Sequence, residues 1–306
     1  MGDGRALAGL PETAPPPGDR GLPEARAAVR RDHSRVTRGD LARRLATAAI
    51  GLPLLALALF WGPPLVIVAL CVTVAAVGLW EFYALLAARG LAPLRVTGYV
   101  LATAFFLQTV RPALVPPALV PIAAVIVLCA MLTRGGDVPG SVLSAAATLL
   151  GAAWLGGLGG TMAALRLVPP ERGGPWVEML LLTTVMTADS AALFVGSAVG
   201  RHKLAPRISP GKTWEGLAGG LAGGIVGALI VRRFGLQWIP VAHAVVLAVL
   251  VTLGGVAGDL AESLLKRWAG VKDSGALFPG HGGMLDRLDS LLLGAPVLYY
   301  YLLYAR

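Results

Sequence analysis

The sequence predicts an all-α protein, a polytopic membrane bundle of about nine transmembrane helices with a cytoplasmic N-terminus. The first observation is composition: 56% of the 306 residues are hydrophobic, 14% are charged, and the mean hydropathy is +0.72. Soluble domains carry about 25% charged residues, so a water-soluble fold of this size would expose too much apolar surface. The other two observations are the long apolar runs and the uneven placement of lysine and arginine between them.

Residues 1–43 differ from everything that follows. They contain Pro15, Pro16 and Pro17, several glycines, and a basic run that begins at Arg30. No hydrophobic period is present, which predicts a disordered, basic, Pro/Gly-rich cytoplasmic tail. Residues 44–306 are predicted to form the transmembrane domain.

A helix needs about 20 apolar residues to cross the hydrocarbon core of a bilayer. Nine apolar segments approach this length: 45–61, 65–88, 97–111, 113–133, 141–168, 176–200, 213–231, 239–267 and 290–304. The seventh segment has two rows of glycines at a spacing of four, and such rows allow helices to pack closely in lipid. Cys71 and Cys129 lie within apolar segments and are predicted to be packing residues.

Orientation follows from the basic residues. With the N-terminus inside, 20 of the 26 lysines and arginines fall on the cytoplasmic side and six fall outside. Cytoplasmic connections of membrane proteins are enriched in these residues, so the excess supports a multi-pass protein of the cell membrane in this orientation. Arg232 and Arg233 lie on the outer side, and nothing in the sequence accounts for them.

The remaining charge is concentrated in two stretches. Beyond residue 44 the chain has 28 charged residues, and half of them lie within 201–215 and 259–289. Charged residues placed at random in the loops would be spread over all of the connections. An ordinary polar loop would explain any single one of these charged residues. It does not explain why residues of both charge signs are concentrated in two short stretches.

In the second stretch, Asp259, Glu262 and Lys266 recur at helical spacing and share one helix face, as does Ser263. A glycine-rich connection follows, in which the flanking glycines of His281 would let backbone N–H groups approach a phosphate. Carboxylates beside lysine and arginine at a membrane edge suit a divalent metal bound together with a polyphosphate.

The first stretch, GRHKLAPRISPGKTWEG, is predicted to be a basic loop interrupted by prolines. Its functional interpretation is a phosphate site formed by Ser209, Lys212 and Thr213 near a helix N-terminus, with Thr213 as the N-cap. Its plain interpretation is a positive-inside loop.

Two further carboxylates lie within apolar segments. Asp189 is deep in the sixth span, where an unpaired carboxylate costs a few kcal/mol, so it is predicted to face a wet cavity at a functional site. Glu81 lies nearer a boundary, and the neighbouring Trp80 and Tyr83 favour a plain anchoring role at the membrane interface.

The segment SLLKRWAGVKDSGALFPGHGGMLDRLDS, from Ser263 to Ser290, closely resembles the C-terminal motif of the phosphatidate cytidylyltransferases, the CDP-diacylglycerol synthases. The upstream Gly258-Asp259-Leu260 and the loop HKLAPRISPGKTWEG are also similar to that family. One departure is Gly211, where the family pattern leads us to expect a second lysine.

The resemblance implies that CTP and phosphatidate are converted to CDP-diacylglycerol and pyrophosphate with Mg²⁺, by attack of the lipid phosphate on the α-phosphate of CTP. The implied catalytic residues are Asp259, Lys266, Arg267, Lys272, Asp273, His281, Asp286, Arg287 and Asp289. Substrate phosphates would be bound by Ser209, Lys212, Thr213 and Ser263. The implied metal ligands are Asp259 and Asp286, followed by Asp189 and Asp289. The expected partners are the two substrates and membrane lipid, without nucleic acid, and a homodimer is an open expectation.

Other functions remain open at this point. A CTP-dependent kinase or a cytidylyltransferase acting on another lipid would use similar chemistry. A secondary transporter would bind ions near the midplane between repeated halves, but no internal repeat is present and most charge lies at the cytoplasmic edge. A purely structural membrane protein leaves the clustered charge unexplained.

Overall fold

A computed structural model describes residues 51, 53–132, 138–275 and 282–304 of the chain. The described part contains a helical stretch over 53–60, nine further α-helices and one small hairpin. The helices are α1 (Pro64–Ala87), α2 (Arg95–Val110), α3 (Leu119–Leu132), α4 (Val138–Gly151), α5 (Gly159–Arg166), α6 (Pro175–Val199), α7 (Trp214–Gly235), α8 (Val241–Ala269) and α9 (Leu285–Tyr304). Short 3₁₀ turns lie at Pro112–Leu114 and Pro170–Arg172. The predicted tail, 1–43, lies outside the described residues.

Five segments of the described chain are long and apolar enough to cross a membrane, namely α1, the continuous segment Val138–Arg166, α6, α7 and α8. Helices occur at eight of the nine predicted spans, and part of the first span is helical over 53–60. Large apolar side chains remain exposed, as lipid-facing residues do: Leu132 is 86% exposed and Val96 is 80% exposed. The all-α membrane bundle is therefore confirmed, while the number of crossings and their orientation stay predictions.

The segment Val138–Arg166 is not a regular α-helix throughout. A π-helical turn, Ala152–Leu158, joins α4 to α5. At this turn Gly156 lies directly against α2, where a Cβ atom would come within 2.5 Å of the Cα of Ala102. The glycine is therefore required by the close approach of the two backbones.

The helices α6 and α7 pack along each other through the two glycine rows. A Cβ at Gly220 would lie 3.2 Å from the Ala188 carbonyl oxygen, and a Cβ at Gly223 would lie 2.5 Å from the Ala191 Cβ. The predicted close packing is confirmed, and it brings the polar segments at the ends of α6 and α7 together.

The stretch 200–216 is more ordered than the predicted loop. It forms an antiparallel hairpin of β1 (Lys203–Ala205) and β2 (Ser209–Thr213). Thr213 caps α7 as predicted, because its Oγ1 accepts a 3.0 Å hydrogen bond from the Gly216 N–H. The Glu215 carboxylate accepts hydrogen bonds from the Arg201 N–H at 3.1 Å and the His202 N–H at 3.2 Å, which fixes the base of the hairpin.

Candidate active site

A cavity of about 440 Å³ lies where the hairpin meets α6, α7 and α8. One part of its lining is apolar and comes from the three helices: Ala192, Leu193, Leu217 and Val256. The other part carries charges and hydroxyl groups: Asp189, Ser197, Ser209, Lys212, Thr213 and Asp259. The cavity can therefore contact the polar head and the apolar portion of one amphiphilic molecule.

The charged part of the cavity is centred on an ion pair. Lys212 Nζ lies 2.8 Å from Asp259 Oδ2, and the two side chains are 22% and 35% exposed. Ser263 Oγ donates a 3.2 Å hydrogen bond to the other carboxylate oxygen of Asp259. This pair connects β2 to α8 and still leaves the ammonium group accessible to an anion in the cavity.

Two further carboxylates approach this ion pair. The negative charge of Asp259 acts on both Asp189 and Asp289, and that of Asp189 also acts on Asp289. Asp189 lines the cavity, as its depth in an apolar helix predicts. Asp289 accepts a 2.6 Å hydrogen bond from the Ser290 N–H. Asp189 and Asp259 thus line one cavity, with Asp289 near them, and carboxylate oxygens are ligands that a divalent cation accepts.

Lys266 and Asp286 belong to a second, more buried cluster. Lys266 Nζ lies 2.6 Å from Glu262 Oε2 and 2.5 Å from Asp286 Oδ1. The Asp286 Oδ2 atom accepts hydrogen bonds from the Ser274 N–H at 2.9 Å, the Ser274 hydroxyl at 2.9 Å and the Gly283 N–H at 2.7 Å. Both oxygens of Asp286 thus have protein partners.

Glu81 joins the second cluster, so the prediction of a plain interfacial anchor is wrong. Its side chain is fully buried and accepts hydrogen bonds from the Met284 N–H at 2.9 Å and the Leu285 N–H at 2.8 Å. Its Oε2 atom also lies 3.0 Å from the Ser274 hydroxyl, whose single proton it shares with Asp286. The sequence does not reveal this role, because the partners are about 200 residues away along the chain. A signal was present, since no basic residue lies three or four positions from Glu81 within its helix.

The other predicted site residues are placed less centrally. Arg267 is exposed and its Nε donates a 3.3 Å hydrogen bond to the Ile208 carbonyl, which ties the hairpin to the end of α8. Lys272, Asp273 and Arg287 are exposed. His281 lies outside the described residues.

The family model for cytidylyltransferases matches residues 42–305, which is most of the chain. The chain belongs to the cytidylyltransferase family. Among its relatives, the phosphatidate cytidylyltransferase of Haemophilus influenzae is 42% identical over 132 residues, which are 42% of this chain and 46% of that protein. The phosphatidate cytidylyltransferase of Bacillus subtilis is 46% identical over 118 residues, 39% of this chain and 44% of that protein.

A relative without an assigned activity is similar to the same degree. The uncharacterized protein YnbB of Escherichia coli is 41% identical over 133 residues, which are 44% of each chain. In each of these three matches the chain spans less than half the length of the relative. The matches therefore support membership of the cytidylyltransferase family. The activity of this chain is proposed below.

The acidic group fits a divalent cation in its chemistry. Asp189, Asp259 and Asp289 supply the hard oxygen ligands that Mg²⁺ prefers. Within the described residues, no three His, Cys, Asp or Glu side chains form a ready-made metal site. Mg²⁺ is often held by only one or two carboxylates together with substrate phosphates, so the residues suit an ion that binds with a polyphosphate. Asp259 and Asp286 have separate partners, and their convergence on one ion stays a prediction.

Proposed function

We propose that this protein transfers CMP from CTP to phosphatidate, giving CDP-diacylglycerol and pyrophosphate for phospholipid biosynthesis. The observation that carries the proposal is the cavity between the hairpin and α6–α8, which combines an ion pair, hydroxyl groups and apolar helix walls. Phosphatidate has the same division into an anionic head and apolar chains. Membership of the cytidylyltransferase family supports the nucleotide part of the reaction.

The bond changes need no strong general base. An oxygen of the phosphatidate phosphate, a monoester with a second pKa near 6, is already a nucleophilic anion at neutral pH. It attacks the α-phosphorus of CTP, a new P–O bond forms, and the bond to the leaving pyrophosphate breaks. The main barrier is repulsion between two polyanions, so positioning and charge neutralisation carry the catalysis.

Residues of β2 in the cavity lining, and residues of the region around the end of α8 and the start of α9, suit these tasks. Lys212, Ser209 and the Thr213 hydroxyl come from β2 and would bind phosphate oxygens. The Ser263 hydroxyl on α8 would bind a phosphate oxygen, and Lys266, Arg267, Lys272 and Arg287 would neutralise the charge of the polyphosphate. Asp273 and His281 complete the proposed set from the connection between α8 and α9.

A bound Mg²⁺ ion would neutralise phosphate charge and polarise the bond to the leaving group. Asp259, Asp189 and Asp289 would hold it, and Asp286 remains a candidate ligand. The position of Asp189 and Asp259 in the cavity lining, with Asp289 near both, supports the assignment.

We further propose a multi-pass location in the cell membrane with the active site on the cytoplasmic side. CTP is a cytosolic polyanion that does not cross a bilayer, while phosphatidate presents its phosphate at the membrane surface. An interfacial cavity reached from the cytoplasm serves both substrates, and the excess of basic residues on that side supports this orientation.

The deciding experiment is an assay of the purified full-length protein in detergent with CTP and Mg²⁺. Phosphatidate should yield equal amounts of pyrophosphate and CDP-diacylglycerol. Diacylglycerol and a polyprenol, which a CTP-dependent kinase would phosphorylate with release of CDP, should be unreactive. A polyprenyl phosphate tests transfer to another lipid phosphate. Release of CDP, or a clear preference for the polyprenyl phosphate, would contradict the proposed reaction.

A further inference from the structure

Glu81 is a buried carboxylate to which the proposed chemistry assigns no role. It lies near the end of α1, far in sequence from every residue assigned to the site, and its side chain is fully buried. A buried carboxylate is strongly unfavourable unless it is paired or hydrogen-bonded. Here Glu81 accepts hydrogen bonds from the N–H groups of Met284 and Leu285, and it shares the single proton of the Ser274 hydroxyl with Asp286.

These donors lie on both sides of the connection between α8 and α9. Ser274 precedes segment 276–281, while Met284 and Leu285 follow it at the start of α9. The N–H groups at the start of a helix lack intrahelical acceptors and attract negative charge. Glu81 therefore caps α9 from another helix, and it also holds the chain that leaves α8.

A chain of hydrogen bonds connects Glu81 with the cluster of Lys266 and Asp286. The Ser274 hydroxyl lies 3.0 Å from Glu81 Oε2 and 2.9 Å from Asp286 Oδ2. The other oxygen of Asp286 lies 2.5 Å from Lys266 Nζ. A displacement of Glu81 would thus be transmitted through Ser274 to Asp286 and Lys266.

Two glycines in the segment from Ser263 to Ser290, Gly275 and Gly283, leave room for the Glu81 carboxylate because they have no side chain. A Cβ at Gly275 would lie 2.5 Å from Glu81 Oε1, and a Cβ at Gly283 would lie 2.5 Å from Glu81 Oε2. Real Cβ atoms do not approach oxygen so closely, so any larger residue at either position would push Glu81 away. Glycine at positions 275 and 283 is therefore required by the position of the Glu81 side chain, which comes from α1.

We propose that Glu81 is a positioning residue of the active site. By fixing both sides of the α8–α9 connection, it holds Asp286 and Lys266 in the geometry that the polyphosphate requires. The inference rests on the proposed function for its catalytic consequence, whereas the hydrogen bonds to the connection can be tested without any activity.

The test compares Glu81→Gln and Glu81→Asp with the wild type. Gln keeps the volume but replaces one acceptor oxygen by an NH₂ group, so kcat should fall about 10- to 100-fold, as misplacement of catalytic groups does. The KM for phosphatidate should change by less than about threefold, because the ground-state contacts in the cavity remain. Glu81→Asp keeps the negative charge on a side chain that is one methylene group shorter, so it should retain more of the wild-type kcat than Glu81→Gln.

Hydrogen exchange followed by mass spectrometry gives the readout that is independent of activity. In Glu81→Gln, peptides covering 282–290 should exchange faster than in the wild type, while peptides of α7 should be unchanged. The matched control is Glu178→Gln, since Glu178 is also a buried carboxylate, 7% exposed, but lies at the start of α6. It should leave kcat within about twofold and exchange in 282–290 unaltered.

A second pair of variants covers the case in which Glu81→Gln does not fold. Gly283→Ala attacks the same contact from the connection and should reproduce the loss of kcat. Gly157→Ala is its control, because the nearest atom to a Cβ there is 3.9 Å away.

A folded Glu81→Gln protein with wild-type kcat and exchange would overturn the inference. If the wild type lacks cytidylyltransferase activity, the proposed function fails, and faster exchange in Glu81→Gln would still show that the contact holds the connection.

Discussion

At the scale of single residues, Asp259 and Asp286 show how surroundings separate two identical side chains. Asp259 is 35% exposed and pairs with Lys212 at the cavity. Asp286 is 12% exposed and accepts hydrogen bonds from Lys266, Ser274 and Gly283. The first has capacity for a ligand, whereas the second is already engaged in holding the connection before α9.

Asparagine variants should separate these roles. Asp259→Asn should reduce kcat at least about 100-fold with little change in Tm, because partly exposed ion pairs stabilise proteins by only about 0–1 kcal/mol. Asp286→Asn should reduce activity and also destabilise the fold by about 1–3 kcal/mol, since it breaks the hydrogen bonds that a largely buried carboxylate accepts, while Lys266 keeps its ion pair with Glu262. Parallel measurements of turnover and thermal unfolding in detergent check both. Equal Tm values for the two variants would contradict the distinction.

Sequence reasoning predicted the local residue relationships and missed the distant one. The spacing of Asp259, Glu262 and Lys266 placed them on one helix face because helical periodicity is fixed, and the structure pairs Lys266 with Glu262. Thr213 was predicted as the cap of α7 from its position alone. Glu81 was misread, because its partners depend on how α1 packs against α9, which no local pattern specifies.

At the scale of elements, the contact between α6 and α7 determines the width of the cavity. Each helix contributes residues to the lining, and the hairpin spans the short connection between them. The glycine rows were visible in the sequence and the helices lie where the apolar runs predicted. The hairpin was not foreseen, because strands of three and five residues leave almost no periodic signal.

A methyl group in this contact should disturb both stability and catalysis. In Gly223→Ala the new Cβ would lie 2.5 Å from the Ala191 Cβ and 2.7 Å from the Thr187 carbonyl oxygen. Overpacking of this kind costs about 1–3 kcal/mol, so Tm should fall and KM for CTP should rise as α6 and α7 separate. Gly157→Ala provides the control of the same chemical change in open space. An unchanged Tm in Gly223→Ala would show that the two helices are not held in this close contact.

At the scale of the whole molecule, three of the six basic residues on the predicted outer side donate hydrogen bonds to backbone carbonyls. Arg232 Nε donates a 2.6 Å hydrogen bond to the Ile239 carbonyl in the connection between α7 and α8. Arg166 donates to the Gly62 carbonyl at 3.0 Å, and Arg172 donates to the Leu302 carbonyl at 3.0 Å. These guanidinium groups satisfy backbone oxygens at helix ends, which accounts for Arg232 as an exception to the charge rule.

The two ends of α7 provide a direct test of orientation. Its 22 residues extend over about 33 Å, close to the thickness of the hydrocarbon core. The hairpin and the cavity lie at its N-terminal end, so we expect that end in the cytoplasm and the connection to α8 on the opposite side. Single cysteines are introduced after Cys71 and Cys129 are replaced by alanine. Val271→Cys reports the site end, since Val271 is exposed and follows α8, and Gln237→Cys reports the other end.

An impermeant thiol reagent should label Val271→Cys only in inside-out membrane vesicles and Gln237→Cys only in right-side-out vesicles. The reason is that the 20 basic residues assigned inside outnumber the six outside, and these residues resist translocation. Both variants must first show wild-type turnover, so that labelling reports the native arrangement. The reverse pattern would place the cavity on the face that CTP does not reach. The proposed reaction could then not occur in the cell, even if the purified enzyme catalysed it in detergent.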